Sequence, residues 1–384
     1  MVFTLEALQA KHGDALLLHY GSTADPQLMV IDGGPDTVYG NWLRPRLMEI
    51  QEAKDPDNPL LIKLLLVSHI DDDHINGILD LTKELRGCAG PPPFTIERLW
   101  HNSFDDIVGA EDKPLEAALD TMSAAALGGA PAPGTAALSE ESAMVMANVK
   151  QGRTLREDAK TLGLSVNSPF TGLVLAPKDG PRTVGLSGGL ALTVVGPGEG
   201  RIAKLQAEWD KMLKKYGLAQ TAELETAAAK KLDTSVYNLS SIVILARVAG
   251  KSMLLTGDAR GDEIVEALKE TGLLTNDHIH VDVLKVPHHG SKRNSTPGFF
   301  ETVTADHYVF SAHSAKHGHP NMETFEMLSA ARGNDEFTIH LTNWEDRFEP
   351  FFDEEEANGK QYTVDALPDG DTAIRLDLLD PLPY

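Results

Sequence analysis

The stretch Leu61-Ile-Lys-Leu-Leu-Leu-Val67, followed at once by Ser68-His69-Ile70-Asp71-Asp72-Asp73-His74, decides how this chain is read. A nearly unbroken apolar run of that length reads as a strand covered on both faces. The residues after it, Ile75-Asn-Gly-Ile-Leu-Asp-Leu81, look helical, so imidazoles and carboxylates crowd a strand-to-helix corner. Such a corner lets alternate side chains converge, and imidazole nitrogen with carboxylate oxygen is a donor set that divalent cations take. Helix capping would account for Asp71, Asp72 or Asp73. It accounts for neither histidine.

Working outward, three short segments precede this corner: Phe3–Leu8, Asp14–Tyr20 and Gln27–Asp32, the last ending in a double glycine. Their alternation and tight joins predict an antiparallel start to a sheet. Trp42–Glu49 has helical spacing. Later, Ser241–Val248 and Ser252–Thr256 read as a hairpin joined at Ala249-Gly250-Lys251. Val281–Val286, Asp306–Ser311 and Phe337–Leu341 read as strands separated by helices starting near Asp262, Pro297 and Asn321. Residues 111–163 shift to Ala, Gly, Met and Pro and read as a helical insertion, and residues 201–232 read as a long amphipathic helix between two halves. There is no fixed short repeat. The expectation is a single domain over residues 1–384, α/β in class, with two sheets packed between outer helices.

Three further strand ends carry polar groups. Leu254-Leu-Thr-Gly-Asp258-Ala ends in an aspartate that a turn alone would explain. Lys285-Val-Pro-His288-His289-Gly-Ser291-Lys292 and His313-Ser-Ala-Lys-His317-Gly-His319-Pro-Asn are harder to explain as packing. One convergent polar site is the economical reading, because the separate explanations would otherwise all have to hold together.

Composition narrows the function classes. Lys and Arg total 34 against 57 for Asp and Glu, a net charge of −23, which disfavours indiscriminate coating of a polyanion. A nuclease remains compatible, since bound cations invert the local potential. Acidity also serves solubility. The one cysteine, Cys88, can form neither an intrachain disulfide nor a cysteine zinc finger. No basic leader opens the sequence and no apolar run reaches bilayer length, so the expected protein is soluble and cytoplasmic, with no membrane association.

Taken together, Gly13-Asp14-Ala, Ile31-Asp32-Gly-Gly, Ser68-His69-Ile-Asp71-Asp-Asp73-His74-Ile-Asn-Gly, Asn238-Leu-Ser-Ser, Leu255-Thr-Gly-Asp258, Leu284-Lys-Val-Pro-His288-His289-Gly-Ser291 and Gly318-His319-Pro closely resemble the metallo-β-lactamase superfamily. More narrowly, they resemble the hydrolase domain of ComEC-type DNA-uptake proteins, from about Val2 to Leu341 without the insertion. The resemblance implies a four-layer αββα sandwich and two divalent metal ions, Zn or Mn. It implies a first site from His69, Asp71 and Asp258, with Asn238 nearby, and a second from Asp73, His74, Asp258 and His289. Asp71 stands where the superfamily signature H-x-H-x-D-H has its second histidine, and no histidine occurs between His101 and His278 to complete the first site. That richness in oxygen shifts the preference toward manganese.

The activity expected from this resemblance is hydrolysis of a phosphodiester, most of all DNA, by a metal-bound hydroxide. Asp71 or Asp73 would accept a proton, His288 would meet the phosphate or leaving group, and Lys292, Ser291 and His319 would stabilise charge. Asp32 would orient a histidine ligand. Nucleic acid or another phosphodiester is the expected substrate, with a partner protein engaged through the insertion. Two other readings stand beside it: a lactone or amide hydrolase, and a metal-stabilised protein-binding scaffold without catalysis.

Overall fold

The computed structural model describes residues 1–103, 106–107, 140–203, 206–207 and 240–384; for 140–147 and 149 only the backbone is described. Most of 111–163, nearly all of 201–232, and Asn238 lie outside the described residues.

The first sheet contains β1 (Val2–Leu8), β2 (Leu16–Ser22), β3 (Asp25–Ile31), β4 (Leu60–Val67), β5 (Phe94–Ile96), β6 (Arg98–His101), β7 (Ser165–Val166) and β16 (Ala373–Asp377). As expected, β1, β2 and β3 are antiparallel neighbours, and β4 joins β3 in parallel. The second sheet runs through β15 (Thr363–Ala366), β14 (Thr338–Leu341), β13 (Val303–Phe310), β12 (Ile279–Lys285), β11 (Lys251–Leu255), β10 (Val243–Val248), β9 (Ala191–Gly196) and β8 (Arg182–Gly185). Here β11 to β15 are mutually parallel.

Residue alternation along the strands explains the layers. Phe3, Leu5, Leu18, Met29, Leu64 and Leu66 from the first sheet meet Leu192, Val194, Ile244, Leu255, Val283 and Val309 from the second in one central core. The opposite face of the first sheet, with Leu17, Val30, Leu65 and Val67, buries Leu47 and Ile50 of α1 (Arg44–Lys54). Ile75, Ile78 and Leu81 of α2 (Asp72–Gly87) and Leu155 of α3 (Glu140–Thr161) join the same layer. The outer face of the second sheet, with Leu245, Leu254, Leu284, Tyr308 and Phe310, buries Ile264 and Leu268 of α4 (Gly261–Glu270). Phe299 and Phe300 of α5 (Pro297–Thr302) are there too, with Phe325 and Leu328 of α7 (Met322–Arg332). The short α6 (Ser314–His317) lies between β13 and α7, and α8 (Glu349–Ala357) follows β14. This is the αββα sandwich.

Two features depart from a simple division into halves. The hairpin β8–β9 precedes the second half yet belongs to its sheet, and β16, the last strand, pairs with β1 of the first. Neither pairing is visible in local periodicity, because both strands are short and sit at or near sheet edges. Within the insertion, α3 is the described part and packs on α2. Among the described residues no helix is long and apolar enough to cross a membrane.

The direction of the parallel strands positions the polar groups. β3, β4, β11, β12 and β13 all end at one rim, and there the chain runs into Asp32, Ser68–His74, Gly257-Asp258, Val286–Ser291 and Ser311. The rim of such strands is where α/β folds gather chemistry. Backbone bonds tie this edge together: Ile242 donates across the sheets to the Ser68 carbonyl at 2.9 Å, and within the second sheet's rim His288 donates to that of Gly257 at 3.1 Å.

Candidate metal centre

Three strand ends deliver the donors. The end of β4 and the start of α2 bring His69, Asp71, Asp73 and His74; the turn after β11 brings Asp258; the turn after β12 brings His288 and His289. Asp258 sits between them. Its Oδ1 lies 3.3 Å from His74 Nε2 and 3.5 Å from His289 Nε2, while its Oδ2 lies 3.6 Å from His69 Nε2 and 3.5 Å from His288 Nε2. Each oxygen thus faces a different pair of imidazoles.

On the first side of Asp258, His74 Nε2 and His289 Nε2 are 3.1 Å apart, and Asp73 Oδ2 is 3.6 Å from His289 Nε2. Donors held at about 2.1 Å from a tetrahedral cation lie about 3.4 Å from one another. The spacings fit that edge length. On the other side, Asp71 Oδ2 lies 3.6 Å from His69 Nε2.

The buried groups behind these donors fix their orientation. Asp32 Oδ2 takes His74 Nδ1 at 2.9 Å and also accepts from Ser68 Oγ, while Asp32 Oδ1 accepts from the Ser68 amide. His289 Nδ1 is 2.8 Å from the Ser311 carbonyl, so its Nε2 is turned toward Asp258. Ser68 Oγ lies 3.0 Å from His69 Nδ1. Asn148 of α3 donates to Asp71 Oδ1 and Gln151 to Asp72 Oδ1, both at 2.8 Å. These carboxylate and carbonyl partners are the kind that hold ligand imidazoles in one tautomer.

The backbone carrying the paired histidines is itself unusual. His288 and His289 both have positive φ, 48° and 55°. Conformations of this sort cost about 1–3 kcal/mol each and persist where surrounding contacts over-determine them. Here they send two successive rings to opposite oxygens of one carboxylate. Gly290 continues the turn at φ 80°, with a Cβ position only 2.7 Å from Phe310 Cδ1, so no other residue fits.

The charges are unbalanced. Burial would raise the Asp258 carboxyl, but the surrounding histidines, led by His288, hold it well below the usual range. Burial would depress His74, yet Asp258 and then Asp32 hold that imidazole well above its ordinary value; His289 is raised by Asp258 and Asp14 against the same opposition. The protein therefore gathers protons at imidazoles to balance Asp14, Asp32, Asp73 and Asp258. Asp258 Oδ1 and His69 Nε2 are also buried without a hydrogen-bond partner. Orphaned donors around a negative cavity are what a divalent cation would satisfy.

Several expected residues are placed differently. His288, expected at the phosphate, stands beside Asp258, its Nε2 3.5 Å from Oδ2. His319 stacks edge-on to His288 with ring centroids 5.4 Å apart, and burial together with the neighbouring histidines holds it down at about 4, hence neutral. Lys292 is not brought to the cluster in any contact the structure shows: its ammonium pairs with Glu323 at 2.5 Å and its side chain is 49% exposed. Ser291 closes the turn, its amide donating to the His288 carbonyl at 2.8 Å.

Two residues are left without a role by the sequence. Asp14 and Lys285 form a buried ion pair behind the site, and Lys285 also donates to the Gly257 carbonyl at 3.2 Å. Asp14 reaches His289 Nδ1 at 3.4 Å and His74 Nδ1 at 3.9 Å, on the side of each ring away from Asp258. Its oxygens gather with His74, Asp258 and His289, but this placement makes it a brace more than a ligand. A lysine directly after the apolar Val283 and Leu284 at the end of β12 was the available signal.

No family model matches the sequence, and no curated protein does. Among solved structures, the chain is similar to zinc-bound PqqB from Methylobacterium extorquens, at 12% identity and TM-score 0.37 over 98% of this chain and 100% of that one. It is also similar to the MIM-2 metallo-β-lactamase, at 17% identity and TM-score 0.28 over 75% of this chain and 78% of that one. Likeness at this level says nothing of chemistry, which rests on the atoms of the site.

Proposed function

We propose that this chain is a metal-dependent hydrolase of the metallo-β-lactamase type, and that its substrate is a phosphodiester, DNA in the first instance. The observation that carries the metal reading is Asp258, whose two buried oxygens each face a separate pair of imidazoles. In this reading Asp73, His74, Asp258 and His289 hold one divalent cation and His69, Asp71, Asp258 and His288 hold the other. Such cations, when bound, polarise a phosphoryl oxygen and acidify water.

The chain's own groups prepare that chemistry. Asp32 and the Ser311 carbonyl keep the Nε2 atoms of His74 and His289 turned inward. Asp71 and Asp73, 27% and 15% exposed, lie on the open side, while neutral His319 beside His288 donates a hydrogen bond to an approaching anion. Each side offers two imidazoles and two carboxylates, a donor set that suits zinc or manganese. The phosphodiester preference draws on the motif resemblance. Lys292 has no part in it.

The test is metal analysis of the purified protein, then turnover of bis-p-nitrophenyl phosphate and of labelled single- and double-stranded DNA and RNA with Mn²⁺ or Zn²⁺. Lactone and β-lactam substrates run in parallel, with Asp258→Ala as control. Turnover of the lactone or β-lactam alone sinks the phosphodiester assignment. Absence of bound metal sinks the whole reading.

A further inference from the structure

We propose that His12, Asp73 and His317 hold a further divalent cation at the mouth of the centre, sharing Asp73 with the set around Asp258. The inference rests on the placement of these three side chains and not on the hydrolase reading.

Each of the three offers one ligand atom, and those atoms lie within 4.8 Å of one another. The residues come from three separate parts of the chain: the β1–β2 loop, the start of α2 and the end of α6. The rings of His12 and His317 meet at 68° with centroids 5.7 Å apart, too steep for simple stacking and compatible with nitrogens aimed at a common point. None of the three is needed by the hydrophobic cores.

Backbone contacts hold His12 beside Asp73. The Asp14 amide donates to the Asp73 carbonyl at 3.2 Å, and Ser311 Oγ donates to the Gly13 carbonyl at 2.8 Å. Gly13 permits this approach: a Cβ there would lie 2.0 Å from the Asp73 carbonyl oxygen. The loop is thus built tightly against the first turn of α2, and the site is largely formed before any ion arrives.

The Lys316 ammonium lies 3.4 Å from His12 Nε2, so a cation there would have to displace it. Its side chain is exposed and can swing away. Three protein donors with the remaining side open to solvent is the pattern of a cation that takes water or substrate, in contrast to a closed structural site. Zn²⁺ or Mn²⁺ suits two nitrogens and one carboxylate.

The experiment counts ions. Protein stripped with chelator is titrated with Zn²⁺ or Mn²⁺, freed of unbound metal and analysed for metal per chain. The parent is expected to carry one equivalent more than His12→Gln/His317→Gln, with the metal-free melting curves unchanged. His317→Gln alone alters an exposed side chain and keeps the test independent of folding; it is expected to lose the same equivalent at micromolar metal. Equal counts for parent and variants at every concentration overturn the proposal. So does an extra equivalent that appears only at millimolar metal and survives the double substitution, an adventitious ion. Asp258→Ala separates this inference from the centre: if it removes no metal while His12→Gln/His317→Gln removes one equivalent, the two-metal centre is wrong and this site stands.

Discussion

The two sides of Asp258 are built differently. Toward Oδ1, His74 and His289 are at most 1% exposed and are braced from behind by Asp32, the Ser311 carbonyl and the Asp14–Lys285 pair. Toward Oδ2, His69 is buried against Ser68, but Asp71 is 27% and His288 24% exposed, and the partner of Asp71 is Asn148 on α3. One side is held by both sheets. The other is completed by a helix lying outside them. The comparison teaches that rigidity at this site follows from which layer supplies the brace, and that the Oδ1 side should bind its cation more tightly.

The largest expected effect removes the element common to both sides. Asp258→Ala should abolish metal retention on each side and lower kcat/KM by about 10³-fold or more, as loss of a central electrostatic group does; metal analysis and steady-state kinetics check this. Asp32→Ala should act most strongly on the Oδ1 side, weakening that cation by about 10–100-fold, with a smaller effect on the other through Ser68 and His69, read by competition with a chelator. Asn148→Ala should do the converse at the lower end of that range, about 10-fold, on the Oδ2 side. If both variants weaken the same equivalent most, the distinction between the sides is lost.

Acidity sharpens the same comparison. The raised folded value of His74 means that, in metal-free protein, its contribution to stability is complete below the unfolded value of about 6.5 and disappears as pH rises through the raised one. A cation needs the deprotonated ring, so it gains over the proton as pH increases. The melting-temperature difference between metal-loaded and metal-free protein should therefore widen from pH 6 toward alkaline pH, measured by thermal denaturation. The smallest effect is expected at Lys292→Ala, whose pair with Glu323 is exposed and screened by solvent, with kcat/KM changed less than about twofold. A large loss there would return Lys292 to the reaction.

Much of this architecture is legible in the sequence. The β4 strand and the corner at His69–His74 follow from local periodicity, as do the antiparallel opening β1–β3 and the hairpin β10–β11. Edge pairing is not legible: β16 reaches β1 from the other end of the chain, and nothing within its own five residues says so. The placements of His288 and Lys292 escape the sequence for the same kind of reason. Residue order shows that both follow a strand, but not that successive left-handed residues aim His288 at Asp258 or that Glu323 claims the lysine.

What the residue order determined by itself was the local chemistry: strand ends rich in imidazole and carboxylate, and the alternation that demands two sheets between helices. Only the tertiary structure decided which of those donors meet. Asp258, His288, His12 and His317 come into reach of the corner because parallel strands of two sheets end at one rim. Contacts made across such separations depend on packing between layers, which no short-range pattern encodes.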